Sequence, residues 1–429
     1  MLGGETGDAE DLDGLIGDQR TKDGRRVPWV VERHGGHIDD VTVAAPPPQP
    51  QRRYRTPHTA FPHVQFLSNG RLVSAVTNAG GGRLRCGGMA VTRSRRDVTL
   101  DPGSLYLYLR DVWSGEVWSA TYHPTAAEPD DYLVTFRPDR ASVRRRDGTI
   151  VSQLEIAVST EDDVEVRRLA ITNQGPRTRE IDVTSYVELA LASPVADLAH
   201  PAFGKLFLET EYAPASSALL CRRRPRESGE GPAWAVHVLS LEGRTQGPIE
   251  WETDRARFLG RGRDAGRPAA LDGRTLSGTT GAVLDPIFSL RQRVRLDPGA
   301  TARLSFATGV AADRDAALAL AQKYREPSAA MRAFALSLGH AQSALHHLAI
   351  SSDDALLFER LASRVLYADR SLRASSEVIA RNRLGQSGLW RHSISGDLPI
   401  LLVNVVGQDA LPLVRQVLQA QEYWRLKGL

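Results

Sequence analysis

Near the C-terminal end of the sequence, Trp390, Arg391 and Asp397 have the types and spacing to hold a hydroxyl-rich ring. Asp397 stands in Ile394-Ser395-Gly396-Asp397-Leu398-Pro399. Gly396 lets a ligand approach the backbone closely and Pro399 fixes the following turn. A carboxylate so placed can point into a cleft and accept hydrogen bonds from two hydroxyls. The same Ser-Gly-Asp-Leu-Pro string is good helix-capping chemistry, so both readings stand. Trp390 offers either a stacking wall or a core side chain. Arg391 is a weaker second ligand for the same site.

Other groups carry less chemistry. Asn78-Ala79-Gly80-Gly81-Gly82 invites a phosphate-loop reading, but no GK[ST] and no helix signal follow, and a structural turn is the simpler reading. His340, His346 and His347 lie on an alanine-rich stretch without carboxylates at ligand spacing, so they read as surface or packing histidines, and no metal is expected. Arg144-Arg145-Arg146 and Arg222-Arg223-Arg224 read as solvated faces. Glu161-Asp162-Asp163 reads as a turn before a strand.

The bulk composition narrows the class. Hydrophobic residues make up 41% of the 429 residues and charged residues 24%, a globular balance with length for two or three domains. The net charge of +3, from 54 basic and 51 acidic side chains, gives no reason to expect a nucleic-acid partner. Cys86 and Cys221 lie far apart without a CxxC partner, which argues against a disulfide framework. The first residues lack a basic-then-apolar leader, and the charge-free run from Leu398 to Gln408 is too short to span a bilayer. The expectation is a cytoplasmic chain without a membrane segment.

The elements that must position these residues fall in two blocks. Residues 1–50 are rich in Gly, Asp and Arg and end in a proline run; this composition predicts a disordered lead. From 51 to 310, short runs such as Leu105–Leu109, Tyr132–Phe136, Leu154–Val158, Val164–Ile171 and Arg291–Leu296 recur between turn signals. Asp101-Pro102-Gly103, Asp147-Gly148, Asn173-Gln174-Gly175-Pro176 and Asp297-Pro298-Gly299 punctuate them. Many strands in one stretch predict a large β-sandwich. After residue 310 the period becomes helical. A helix is expected over Ala312–Tyr324 with Asp313 as N-cap, and a second from Ser328 after Pro327. A long one is expected over Ala355–Ile379 and a last one over Ala410–Trp424. Strands followed by helices make a β-domain and then an α-domain.

Several segments in order carry a resemblance. They include Leu67-Ser68-Asn69-Gly70-Arg71, Val76 to Gly82, Tyr108-Leu109-Arg110-Asp111, Thr184-Ser185-Tyr186-Val187-Glu188 and His200-Pro201-Ala202-Phe203. Further along come Phe258 to Arg263, Leu284-Asp285-Pro286, Gly388-Leu389-Trp390, Ile394 to Pro399 and Tyr423-Trp424-Arg425. Over residues 52–429 the chain resembles the phosphorylase-type region of cyclic β-1,2-glucan synthases, in glycoside hydrolase family 94, formerly glycosyltransferase family 36. Ser393, Arg83-Leu84 and Gln421 stand where that family commonly has a glycine, an aromatic and a histidine.

The resemblance implies a galactose-mutarotase-like β-supersandwich over 51–310, a helical linker over 311–350 and the first helices of an (α/α)6 barrel over 351–429. It implies inverting phosphorolysis of a β-glucoside, with inorganic phosphate as co-substrate and no other cofactor. One carboxylic acid protonates the leaving oxygen while phosphate attacks the opposite sugar face. Asp397 would then be a donor-sugar ligand, with Gly81 and Gly82 on a loop reaching the substrate. The general acid and phosphate site of the family are matched by no residue here, so the expected catalytic set is empty. The expected ligand is β-1,2-glucan or a gluco-oligosaccharide, with a second chain supplying the rest of the barrel. The alternative is a non-catalytic carbohydrate-binding fragment.

Overall fold

A computed structural model describes residues 50–93, 103, 105–225, 233–367 and 369–429. The expected disordered lead therefore lies almost wholly outside the described residues, as does most of the Asp101-Pro102-Gly103 turn.

Two antiparallel sheets of nine strands each form the body. One runs Arg52–Tyr54, Asp131–Phe136, Ala141–Asp147, Ile150–Val158, Val164–Asn173, Thr301–Ala311, Ala233–Glu242, Ala218–Arg223 and Leu208–Ala213 in spatial order. The other runs Thr245–Asp254, Pro286–Leu296, Arg179–Ala192, Met89–Thr92, Gly82–Cys86, Leu72–Thr77 and Val64–Ser68. Leu105–Asp111, with Val117–Ser119 on its far side, shares the Arg179–Ala192 edge with Met89–Thr92. That strand changes partner between Val187 and Leu189, and its pairing with Met89–Thr92 then carries an irregularity between Leu189 and Ala192, where Leu191 takes a φ of 44°. An inserted residue of this kind bends the strand locally.

The predicted strands and the β-then-α order are all present. Asp147-Gly148 closes a hairpin, and Asp297-Pro298-Gly299 carries the chain from one sheet to the other, with Gly148 at φ 57° and Gly299 at φ 74°. Between the sheets lie Val134, Phe136, Leu154, Ile156, Leu169, Leu304 and Phe306 from one side and Leu107, Leu109, Val183, Leu290 and Val294 from the other. Outer faces are covered as well. Against the first sheet, Ala317, Ala321, Tyr324, Ala330, Ala333 and Phe334 cover Val164, Val166, Val236 and Val238. The small alanines let these helices lie close, and burial on both faces fits the nearly continuous apolar run of Ala233–Glu242 beneath them.

These two helices span Arg314–Arg325 and Pro327–His347. Asp313 caps the first as expected, accepting from the Ala316 N–H at 2.8 Å. Pro327 opens the second, where its missing N–H costs nothing. The Glu161-Asp162-Asp163 turn seats them. Arg332 and Lys323 pair with Glu161, and Lys323 and the Tyr324 hydroxyl reach Asp162 at 2.6 and 2.7 Å.

Two expectations are corrected. The single helix over Ala355–Ile379 is a helix at Ser352–Leu366, a short 3-10 turn at 370–372 and a separate helix at Ser376–Arg381. Asp369 ends the first: it accepts from the Ser371 N–H at 2.9 Å and hydroxyl at 2.7 Å and pairs with Arg364. Local side-chain bonds of this kind compete with helix continuation. Ser375 then caps the next. Secondly, the arginine triplets are not uniformly solvated. The first lies on a strand and the second at a strand's end, where a period of two turns Arg145 and Arg223 inward while Arg144, Arg146, Arg222 and Arg224 stay exposed.

Candidate functional site

Trp390 ends the short Ser387–Trp390 helix, and Arg391 and Asp397 follow in one irregular stretch. The chain turns twice through left-handed backbone, at Ser393 (φ 59°) and Gly396 (φ 74°). A Cβ at Gly396 would press on Gln386 and on Leu389 at 3.0 Å, so glycine is required there for space as well as conformation.

This folding brings Asp397 and Trp390 together around Gln386. The Gln386 amide donates to Asp397 Oδ1 at 2.7 Å and to the Ser395 carbonyl at 2.8 Å. The Trp390 indole N–H donates to that same carbonyl at 3.3 Å, and the Asp397 N–H reaches the Ser395 hydroxyl at 3.3 Å. Both side chains are exposed, Trp390 at 63%. The next helical residues after Asp397 begin at Gln408, so Asp397 caps no helix. Arg391 is exposed and turned to its neighbour, donating to His392 Nε2 at 3.0 Å.

The arrangement is an exposed carboxylate, fixed by an amide, beside an exposed indole. It can accept hydroxyl hydrogen bonds next to an apolar ring face. Gln386 is the partner that sequence reasoning missed. It lies eleven residues from Asp397, and no periodic pattern links the two.

Gly81 and Gly82 sit elsewhere, in a turn between Leu72–Thr77 and Gly82–Cys86. Gly81 is buried and Gly82 half-buried. At Gly80 (φ 95°) a Cβ would overlap Thr121, and at Gly82 (φ 152°) it would overlap the Ala75 carbonyl. The Thr77 N–H donates to the Gly81 carbonyl at 2.9 Å, and Tyr132 donates to Asn78 at 2.9 Å. Asn78, fully buried, accepts from the His63 N–H at 2.9 Å and donates to Pro57 and Thr59.

A third polar group belongs to the sandwich. Arg93 pairs with Asp197 at 3.0 Å and Asp285 at 3.4 Å, and Lys205 reaches Asp285 at 2.7 Å. Arg255 joins Asp285 to Glu188, whose carboxylate also accepts from Tyr186 at 2.6 Å. Cations and carboxylates alternate through this network, so it is internally neutralised. It anchors the short helices Pro194–Ala199 and Pro201–Lys205 to the sheet.

His340, His346 and His347 are exposed on their helix. Among the described residues, no group of three His, Cys, Asp or Glu side chains could hold a metal ion. No described helix is long and apolar enough to cross a membrane.

Comparison with known proteins agrees with this architecture. Cyclic beta-(1,2)-glucan synthase NdvB of Rhizobium meliloti (strain 1021) is 36% identical over 365 residues, covering 85% of this chain and 13% of that protein. Solabiose phosphorylase of Paenibacillus borealis is 25% identical over 309 residues, covering 68% of this chain and 38% of that one. N,N'-diacetylchitobiose phosphorylase of Vibrio proteolyticus is 24% identical over 222 residues, 51% of this chain and 27% of that one. The chain thus spans well under half the length of each relative. Such relatives mark a carbohydrate-active protein. The glycosyl hydrolase 94 supersandwich domain matches residues 49–327, across both sheets and the first helix laid on them, and the chain belongs to that family.

Proposed function

We propose that this chain is the sugar-handling part of an inverting phosphorylase-type enzyme of β-1,2-glucan metabolism, using inorganic phosphate as co-substrate. The 36% identity to a cyclic beta-(1,2)-glucan synthase over 85% of the chain carries the choice of glucan. The phosphorylase relatives support phosphate as the attacking group. In this reading residues 51–310 are the supersandwich domain, 311–350 the linker and 351–429 the opening of the barrel. Asp397 accepts hydroxyl hydrogen bonds from a sugar ring, Trp390 stacks beside it and Arg391 assists. Gly81 and Gly82 shape the sandwich edge towards the ligand. Cys86 and Cys221 are free thiols, which supports a reducing, cytoplasmic setting.

A second reading, a carbohydrate-binding chain without turnover of its own, is favoured by the exposure of Asp397, whose amide partner prepares it to accept hydrogen bonds. One pair of measurements separates the two. Calorimetric titration with linear β-1,2-gluco-oligosaccharides is expected to show binding. An assay for phosphate-dependent release of glucose 1-phosphate is expected to show none from this chain alone, and release once a chain carrying a general acid is added. Release by the chain alone would overturn the binding-only reading. No binding at all would overturn both.

A further inference from the structure

We infer that the turn carrying Trp113 is a second glucan-binding surface, separate from the Trp390–Asp397 loop, on which the indole stacks against a pyranose ring. Trp113 is 82% exposed, the most open large apolar side chain among the described residues of the sandwich. Tryptophan is highly buried on average, so an indole this open is unusual for its type.

The backbone at Trp113 is held firmly. Asp111, fully buried, accepts at Oδ1 from the backbone N–H of Trp113 at 2.8 Å and of Ser114 at 3.0 Å. Its Oδ2 accepts from Arg179 Nε at 2.6 Å. Gly115, at φ 75°, closes the turn with its N–H on the Asp111 carbonyl at 2.9 Å. Before the indole, the Val112 N–H donates to the Glu180 carbonyl at 2.9 Å, so the neighbouring strand also pins the turn. The backbone on both sides of a fully presented indole is therefore fixed before any ligand arrives.

Such a platform suits a sugar. An aromatic face meets the apolar C–H face of a ring, and an indole on a fixed backbone has only two side-chain torsions to order on binding. Polar acceptors stand on the same turn: the Ser114 hydroxyl and the Glu116 carboxylate, hydrogen-bonded at 3.3 Å and both exposed. They can take hydroxyl hydrogen bonds at the rim of a stacked ring. The identity of the ligand as a glucan rests on the function proposed above; the placement of the platform does not.

Affinity electrophoresis in gels containing linear β-1,2-glucan, followed by calorimetry, tests the inference on the whole chain. Trp113→Ala is expected to weaken binding about tenfold, near 1.4 kcal/mol, and Trp113→Tyr to restore most of it. Both variants should melt with the wild type, because the side chain is in water. Equal binding by wild type and Trp113→Ala would overturn the platform and leave the glucan reading intact. No binding of glucan by the wild type would overturn the glucan reading and the platform with it.

Discussion

The hydroxyl of Tyr423 donates to Oε1 of Glu359 at 3.0 Å, and both side chains are buried. Glu359 lies on the Ser352–Leu366 helix and Tyr423 on the Leu411–Leu426 helix. The same carboxylate accepts from the Gln65 amide and the Phe66 N–H, each at 3.4 Å, and stands 3.8 Å from Arg52. One acid therefore ties two helices to the Val64–Ser68 strand. Val64, Phe66, Ala355, Phe358, Ala420 and Trp424 pack around it. Replacing Glu359 by Ala would leave several buried donors short of an acceptor. A loss of about 3 kcal/mol or more is expected in urea unfolding, with Tyr423→Phe costing about 1 kcal/mol. Equal, small losses for both would remove Glu359 from that central role.

Burial raises the pKa of Glu359, opposed by Arg52 and Lys427. A raised carboxyl pKa means that the folded chain holds the proton longer than the unfolded one. Its stabilising contribution is complete below the ordinary value of 4.5 and is lost as pH rises through the folded value. The stability gap between wild type and Glu359→Gln should therefore narrow as pH rises above 4.5, which melts over a pH series would read.

Histidines act in the opposite direction. His237 is fully buried, its ring nitrogens 2.9 Å from the Ser185 and Thr308 hydroxyls. Burial, helped by Arg167, pushes its pKa down to about 3. His63, half-buried and facing Arg52, Arg364 and Arg360, is pushed down to about 4. A lowered pKa means the unfolded chain takes the proton first, so stability is whole above 6.5 and falls as pH drops. Each ring can contribute a slope of at most about 1.4 kcal/mol per pH unit. His237→Asn should flatten the acid limb; an unchanged limb would assign it to other groups.

Arg145 has no exposed surface and donates to the Thr121 and Ala127 carbonyls at 3.0 and 2.8 Å and to Asp147 at 2.7 Å. Arg145→Ala is expected to cost about 3 kcal/mol or more, against less than about 0.5 kcal/mol for Arg146→Ala. Chemical denaturation of the two variants checks the contrast.

Gly82→Ala would set a Cβ on the Ala75 carbonyl in a backbone region that disfavours it, whereas at Gly70 (φ 92°) nothing lies within 4 Å. Gly82→Ala should therefore destabilise by more than Gly70→Ala, which carries only the backbone cost of about 1 kcal/mol. A folded Gly82→Ala variant with weakened sugar affinity would support substrate contact at this turn; unchanged affinity would assign the turn to the sandwich alone.

Gln386→Ala removes the amide that fixes Asp397 while touching nothing buried. Stability should change by less than about 0.5 kcal/mol. Affinity for β-1,2-gluco-oligosaccharide should fall several-fold in calorimetry, and an unchanged affinity would separate Asp397 from the ligand.

Much of this was legible in the residues themselves. Alternation and turn chemistry mark the strands from Asp131 to Ala311, and Asp313 and Pro327 mark two helix starts, because these signals act over a few neighbouring residues. The ordered segments from Leu67 to Arg425 pointed to the family, and the matched domain over residues 49–327 agrees. Tertiary structure decided what local pattern cannot encode. Whether Arg145 or Glu359 is buried depends on acceptors and donors brought from distant elements, since a charge leaves water only where partners already wait. The end of the Ser352–Leu366 helix depended on the bonds Asp369 makes with Ser371 and Arg364. The grouping of Trp390 and Asp397 is of this second kind. Composition supplied an indole and a carboxylate seven residues apart, and only the two left-handed turns and the Gln386 amide placed them together.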